Sequence, residues 1–336
     1  MIRFVEHKDI DINSVYEILS DARNSNQYTN NGPTKRSLER ELESVLKIPS
    51  EKRVVCLSNG THALHSLMYA YGAKKWATSA FTFPSSLVSG AFDVDILDID
   101  IETGSIEKAP DKLKNYDGII LTNLFGSYVD VEWWESFCSD SGKILIFDNA
   151  SSPLSTCGDK SICVFGSASF GSLHHTKSLG FGEGGFVVVS GDMYDVISRV
   201  SNFGFDSNRE YSERSSNFKM SDISAAFILS YARGYNVDRH LSVQRKVVDG
   251  ISKIDGVKVF NYKDGTIYGN LPVIFSDSKK IEDFSDFDIE VKKYYKPLLQ
   301  LKNSLELYSK IINFPLYGSL SDNDVEYILM CIGEMR

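Results

Sequence analysis

The stretch His174-His175-Thr176-Lys177-Ser178-Leu179-Gly180-Phe181-Gly182-Glu183-Gly184-Gly185 decides how the rest of this chain is read, because it sets one amine beside four glycines. Ahead of it Ile162-Cys163-Val164-Phe165-Gly166-Ser167 reads as a buried strand, and Gly185-Phe186-Val187-Val188-Val189 reads as another. Lys177 is therefore expected on a turn between two core strands. The glycines are expected to reach positive φ and to let a flat ligand come close, where a Cβ would obstruct it. The order of residues excludes two phosphate-binding loops. A Walker loop needs its lysine after the glycines, and here Lys177 precedes them. The dinucleotide fingerprint needs a helix after its last glycine, and here a valine-rich strand follows. A lysine beside glycines is often a plain solvated loop residue, but strand, lysine, glycines, strand suits an amine that forms an imine with a carbonyl compound.

Pyridoxal phosphate chemistry needs three further parts: an acid for the pyridine nitrogen, a phosphate cradle, and a flat surface against the ring. Lys143-Ile144-Leu145-Ile146-Phe147 reads as a strand, with Asp148-Asn149-Ala150-Ser151-Ser152 at its carboxyl end. Ligands of open α/β sheets collect at such ends. A carboxylate there keeps the pyridine nitrogen protonated and makes the ring an electron sink; the plainer reading is that Asp148 caps a turn. Val54-Val55-Cys56-Leu57 reads as a strand leading into Ser58-Asn59-Gly60-Thr61-His62-Ala63-Leu64, where apolar residues recur at 63, 64, 67, 68 and 71 on a helix face. Amide groups at a helix N-terminus bind phosphate, although many helices open with a similar cap. Phe83, in Phe81-Thr82-Phe83-Pro84-Ser85-Ser86, is the candidate flat surface, against the alternative of a core aromatic.

Taken together, these segments resemble the DegT/DnrJ/EryC1/StrS family of sugar aminotransferases. Residues 58–64 match its Ser-(Asn/Gly)-Gly-Thr-x-Ala-Leu, residues 81–83 its Phe-Thr-(Phe/Trp), and residues 148–150 its Asp-x-Ala. Residues 172–185 follow Ser-Phe-His-x-Thr-Lys-x-Leu-Gly-x-Gly-Glu-Gly-Gly, with Leu173 in place of the phenylalanine. The likeness continues through Asn202–Asp206, Asn217–Ala226, the opening turn Tyr28–Pro33 and the closing Leu316–Asp322, so it covers nearly the whole chain.

The resemblance implies the roles. Lys177 becomes the imine-forming lysine and proton shuttle, and Asp148 pairs with the pyridine nitrogen. Phe83 stacks on the ring. Gly60, Thr61 and His62 form the phosphate turn, with His62 where the family usually has alanine. Ser172 is a phosphate-binding serine, and Asn217 reaches the phosphate of the neighbouring subunit, which implies a homodimer with shared active sites. Ser151 stands where the family often has a glutamine that contacts the ring; its shorter side chain would reach only through water. Relatives that act as dehydratases replace the lysine with histidine, so Lys177 argues for transamination.

Composition agrees with a soluble enzyme of this size. The chain has 336 residues, 42% of them hydrophobic and 24% charged, enough for a large and a smaller domain with a sizeable core. A formal net charge of -9 disfavours a nucleic-acid binder. It leaves room for an anionic small substrate, because a pocket can be locally positive. Five cysteines with no Cys-x-x-Cys spacing read as free thiols in a reducing compartment. Adjacent histidines 174 and 175 point differently and are not expected to share a metal. With no signal peptide and no apolar run of about 20 residues, no membrane span is expected. The expected location is cytoplasmic.

The elements alternate, which predicts an α/β fold with a mostly parallel mixed sheet flanked by helices. Strands are expected near 54–57, 95–98, 118–122, 143–147, 162–167 and 185–189, and helices over 35–46, 131–139, 192–202 and 221–235. Beyond about residue 236 the pattern becomes a long charged helix, short strands near 257–261 and 269–275, and a closing helix over 321–335. A large cofactor domain over 1–235 and a small C-terminal domain over 236–336 are expected. By resemblance the fold is type I of the pyridoxal-phosphate enzymes. The implied acceptor is a nucleotide-linked 4-keto-6-deoxy sugar, dTDP-linked in the first instance, with glutamate as donor and surface polysaccharide (lipopolysaccharide O-antigen) or glycoside assembly as destination. The alternatives are a 3-keto sugar aminotransferase, a cofactor-dependent sugar dehydratase and a cofactor-binding regulator without turnover.

Overall fold

The most apolar runs of the chain form the centre of a seven-stranded sheet. The computed structural model describes residues 1–88, 90–151, 153–206 and 208–336. Its strands are β1 (Lys52–Leu57), β2 (Trp76–Ser79), β3 (Val94–Leu97), β4 (Gly118–Thr122), β5 (Ile144–Asp148), β6 (Thr156–Cys157), β7 (Lys160–Ser161), β8 (Ala168–Ser172), β9 (Gly185–Ser190), β10 (Val257–Val259), β11 (Leu271–Phe275) and β12 (Ile311–Phe314). The helices are α1 (Ile12–Ile18), α2 (Ser20–Ser25), α3 (Pro33–Val45), α4 (Gly60–Tyr71), α5 (Pro110–Leu113), α6 (Val131–Asp140), α7 (Gly191–Val200), α8 (Asp222–Gly234), α9 (Val237–Ile251), α10 (Lys302–Lys310) and α11 (Asp322–Glu334).

The large sheet has the order β1-β9-β8-β5-β4-β2-β3. Its pairs are parallel from β8 through β3, and β9 alone runs against its two neighbours. The sheet is thus the expected mixed, mostly parallel one. Two reversals at β9 restore β1 to the direction of β8, so β1, β8, β5, β4 and β2 all end on one edge. Register pairs Thr122 with Asp148, and Gly185 with both Ser172 and Leu57. Residues far apart in sequence therefore meet at the carboxyl ends of adjacent strands, where a strand-end crevice forms in α/β sheets.

The strand expected over 162–167 is not there. Residues 162–164 make one turn of 3-10 helix, and the strand begins at Ala168. Gly166 turns the chain at φ +79, and its N–H donates to Glu135 Oε1 at 2.6 Å. Ile162 and Cys163 are buried without strand pairing, so apolar character alone misplaced the element. The following Ala168-Ser169-Phe170-Gly171-Ser172 is buried throughout. β2 was also missed; it is a four-residue strand held between β3 and β4.

A second, antiparallel sheet has the order β10-β11-β12. Phe260, Tyr268, Phe275, Phe284 and Phe314 fill its core together with the buried faces of α9 and α11. Strand β12 and helix α10 had no sequence reading. The N-terminus reaches this region, where Ile2 pairs in parallel with Ile289.

Candidate active site

Loop 173–184 carries Lys177 between β8 and β9, as the sequence order requires. Main-chain bonds from Leu173 to Gly184, from His175 to Gly182 and from Gly180 to Lys177 close it into a compact turn. Of Gly180, Gly182, Gly184 and Gly185, only Gly182 has positive φ, at +67. Gly185 serves a different purpose from the one expected. A Cβ on it would lie 2.3 Å from the carbonyl carbon of Asn59, so its smallness admits the protein's own backbone rather than a flat ligand.

That close approach seats the start of α4 against the start of β9. Asn59 caps the helix, its side-chain oxygen accepting from His62 N at 2.8 Å, and Gly60, Thr61 and His62 form the first turn. A Cβ on Gly60 would come within 3.2 Å of Ser172 Cβ, which places Ser172 beside the turn. Ser172 Oγ accepts from His174 N at 3.3 Å. His62 faces its own turn: Nδ1 is 2.6 Å from Ser58 Oγ, and the ring lies 4.7 Å from that of Phe218. Burial holds its pKa below the ordinary histidine value.

Asp148, at the end of β5, is 4% exposed. Its Oδ1 accepts from Ala150 N at 2.9 Å, and Thr122 Oγ1 lies 3.4 Å from Oδ2. Burial pushes the carboxyl up to about 6, against the opposing pull of Ala150 N–H, Lys177 and Thr122. Burial likewise lowers the Lys177 ammonium from its ordinary value, with the charge of Asp148 acting the other way. The two groups thus belong to one electrostatic neighbourhood, each favouring the charged form of the other.

Phe83 is 57% exposed, its ring edge-on to Tyr295 at 6.5 Å. Ser151 Oγ is 3.2 Å from the Tyr295 hydroxyl. Ser152, the last residue of the acidic turn read from the sequence, lies outside the described residues. Asn217 is exposed and bridges to Asn202; its neighbour Phe218 accepts from Ser58 N at 2.9 Å, which backs the start of α4. Asn30, Asn31, Phe205 and Asp206 share a cavity of about 420 Å³ with Lys35, Arg199 and Lys219. The Tyr294-Tyr295 pair lies elsewhere, against Phe81, Phe83 and Phe125.

Lys8 had no sequence reading. Its Nζ donates to the carbonyls of Lys177 and Gly180, both at 2.6 Å, and lies 4.2 Å from the centre of the Tyr231 ring. No local pattern points to such a contact, because its acceptors are main-chain oxygens.

The residues present suit a phosphorylated aromatic aldehyde. The amide end of α4 offers donors to a phosphate, with Ser172 beside it and a glycine at position 60 where a Cβ would crowd the turn. The amine and the buried acid lie beyond, at neighbouring strand ends. Among the described residues no cluster of three or more His, Cys, Asp or Glu side chains could hold a metal ion, and no helix is long and apolar enough to cross a membrane.

A solved Bacillus cereus protein, described as a PLP-dependent aminotransferase, superposes with a TM-score of 0.89 at 21% identity, covering 99% of each chain. The fold is therefore that of the pyridoxal-phosphate-dependent aminotransferases. Residues 10–251 match the DegT/DnrJ/EryC1/StrS aminotransferase family, and the chain belongs to that family of sugar aminotransferases. It is a transaminase, and its cofactor is pyridoxal phosphate. It is 27% identical to the dTDP-4-amino-4,6-dideoxy-D-glucose transaminase of Shigella dysenteriae, over 92% of each chain. It is 25% identical to the GDP-perosamine synthase of Vibrio cholerae, over 94% of each.

Proposed function

We propose that this protein transfers an amino group from glutamate to a nucleotide-linked 4-keto-6-deoxy sugar, dTDP-linked in the first instance, for surface polysaccharide or glycoside assembly. The observation that carries the reading is the joint burial of Lys177 and Asp148 beside the capped start of α4. Sugar nucleotides named for the relatives from Shigella dysenteriae and Vibrio cholerae supply the substrate class.

In this proposal Gly60, Thr61, His62 and Ser172 hold the phosphate of the cofactor, Phe83 covers one face of its ring, and Ser151 lies at the ring edge. Asp148 would hold the positive charge of the pyridine nitrogen, and Lys177 would hold the aldehyde carbon in the resting site, its amine becoming free once the amine of the donor takes its place. When bound, pyridoxal phosphate supplies an electron sink for the carbanion formed at the reacting carbon. Lys177 Nζ takes the α-proton of glutamate in the first half-reaction and delivers a proton to the sugar carbon in the second. Its lowered pKa raises the fraction of free amine near neutral pH, which a general base requires. Asp148 is the complementary case. The cation it faces holds it ionised once the site is filled, although burial alone favours its acid form.

The working unit is proposed to be a homodimer in which Asn217 reaches the neighbouring subunit's phosphate site. Residues 1–235 carry the cofactor, and residues 236–336 close the substrate side. Incubation with glutamate and a panel of 3-keto and 4-keto nucleotide sugars, with NMR of the products, tests the proposal. Amination at carbon 4 supports it; amination at carbon 3, release of ammonia, or no consumption of glutamate would overturn it.

A further inference from the structure

We propose that Tyr295 and Ser151 form a paired hydroxyl donor, whose one unspent proton is directed to an acceptor oxygen on the cofactor ring held by Asp148. This rests on the cofactor assignments just made. Tyr295 belongs to a segment tied at both ends. Tyr294 N donates to Asn313 Oδ1 at 3.0 Å on the small sheet, and Leu298 N donates to the carbonyl of Ala80 at 2.8 Å just past β2. The Tyr295 ring lies parallel to Phe125, with centroids 5.6 Å apart and planes 5° apart, and is edge-on to Phe81 and Phe83 at 6.3 and 6.5 Å. These rings and that of Tyr294, 5.5 Å away, fix where its hydroxyl points.

The proton count then decides the role. Two hydroxyls carry two protons, and one spans the 3.2 Å between Tyr295 Oη and Ser151 Oγ. The other is given to no acceptor among the described residues, where the hydroxyls of Tyr295 and Ser151 bond only to each other and the ring's aromatic neighbours are three phenylalanines and Tyr294. Burial pushes the phenol up to about 12, with Asp148 adding to the rise, so it remains a donor throughout the working pH range. Ser151 lies three residues beyond Asp148. The spare donor therefore serves the same bound ring as the acid, and a phenolic or phenolate oxygen is the acceptor class it fits. A short serine at position 151 is explained by the long reach of the tyrosine opposite it, with no bridging water required.

The test is a pH titration of the visible absorbance of full-length protein loaded with pyridoxal phosphate, compared among wild type, Tyr295→Phe, Ser151→Ala and the double variant. Tyr295→Phe keeps the ring contacts and removes only the hydroxyl. A donor to the anionic oxygen favours the deprotonated form, so its loss should raise the midpoint, by about one pH unit. Ser151→Ala should raise it less, and the double variant no more than Tyr295→Phe, because the two act as one unit. A packing role alone would lower the thermal midpoint and leave the titration in place. An unshifted titration in a folded, loaded Tyr295→Phe protein overturns the inference. A wild-type protein that never acquires a visible band overturns the cofactor assignment, and this inference with it.

Discussion

Lys8 Nζ donates at 2.6 Å to the main-chain oxygen of Lys177, a residue 169 positions later in the chain. The same ammonium donates to Gly180, so it ties together the two ends of the turn on which Lys177 rides. Its segment is anchored on both sides, by the Ile2–Ile289 pairing before it and by α1, which opens at Ile12, after it. Replacing Lys8 with Met leaves two carbonyls short of a charged donor, a loss of about 1–3 kcal/mol. Turnover should fall several-fold, and amide exchange across residues 176–182 should quicken. Wild-type exchange and turnover in that variant would show that the contact does not position the loop.

Gly185→Ala would force a Cβ to 2.3 Å from the Asn59 carbonyl carbon and 2.6 Å from Gly60 N. Both atoms are backbone, so the start of α4 must move, at a cost of about 1–3 kcal/mol or more. Affinity for pyridoxal phosphate should drop more than affinity for the nucleotide sugar, because the shift falls on the proposed phosphate turn. Absorbance titration of cofactor into the variant checks this; unchanged affinity would separate the α4 turn from phosphate binding.

The pH dependence of the cofactor-free protein follows from Asp148. Its folded value of about 6 lies above the ordinary carboxylate range, so folding favours the acid form. That stabilisation is complete below about pH 4 and is lost as pH rises through about 6. Relative to Asp148→Asn, which stays neutral, wild type should therefore lose on the order of 2–3 kcal/mol across this window. Loading the cofactor supplies a cationic partner and should flatten the difference. Urea unfolding of both proteins from about pH 4 to about pH 7 measures it, and a stability gap that does not vary with pH would remove the burial argument.

The local parts of the site were legible in the sequence. A strand, a lysine and glycines, an acid closing an apolar run, and an Asn cap before a helix face each leave a pattern a few residues long, and the register of β4, β5, β8 and β9 then brings them together. Contacts made across the fold were not legible. Lys8 finds main-chain oxygens, which have no residue type, and Tyr295 finds Ser151 across 144 positions. The false strand at 162–167 shows the limit of reading apolar runs. Ile162 and Cys163 are buried in a 3-10 turn, while the real strand, Ala168–Ser172, has Phe170 as its one large apolar residue among small and polar ones and is buried throughout. β12 was overlooked for a related reason, since Ile311–Phe314 is a four-residue run that follows α10 with no intervening turn signal.

Lys177→Ala should abolish turnover while leaving the fold intact, because the side chain interacts with Asp148 through charge and makes no hydrogen bond to another described residue. Circular dichroism and a turnover assay check both halves, and a variant that turns over at the wild-type rate would remove the lysine from the chemistry.

The most direct measurement of the central claim is borohydride reduction of protein loaded with pyridoxal phosphate, followed by peptide mapping. The account predicts one stable adduct, on Lys177. An adduct on another lysine, or a protein that keeps its visible band while residue 177 remains unlabelled, would contradict it.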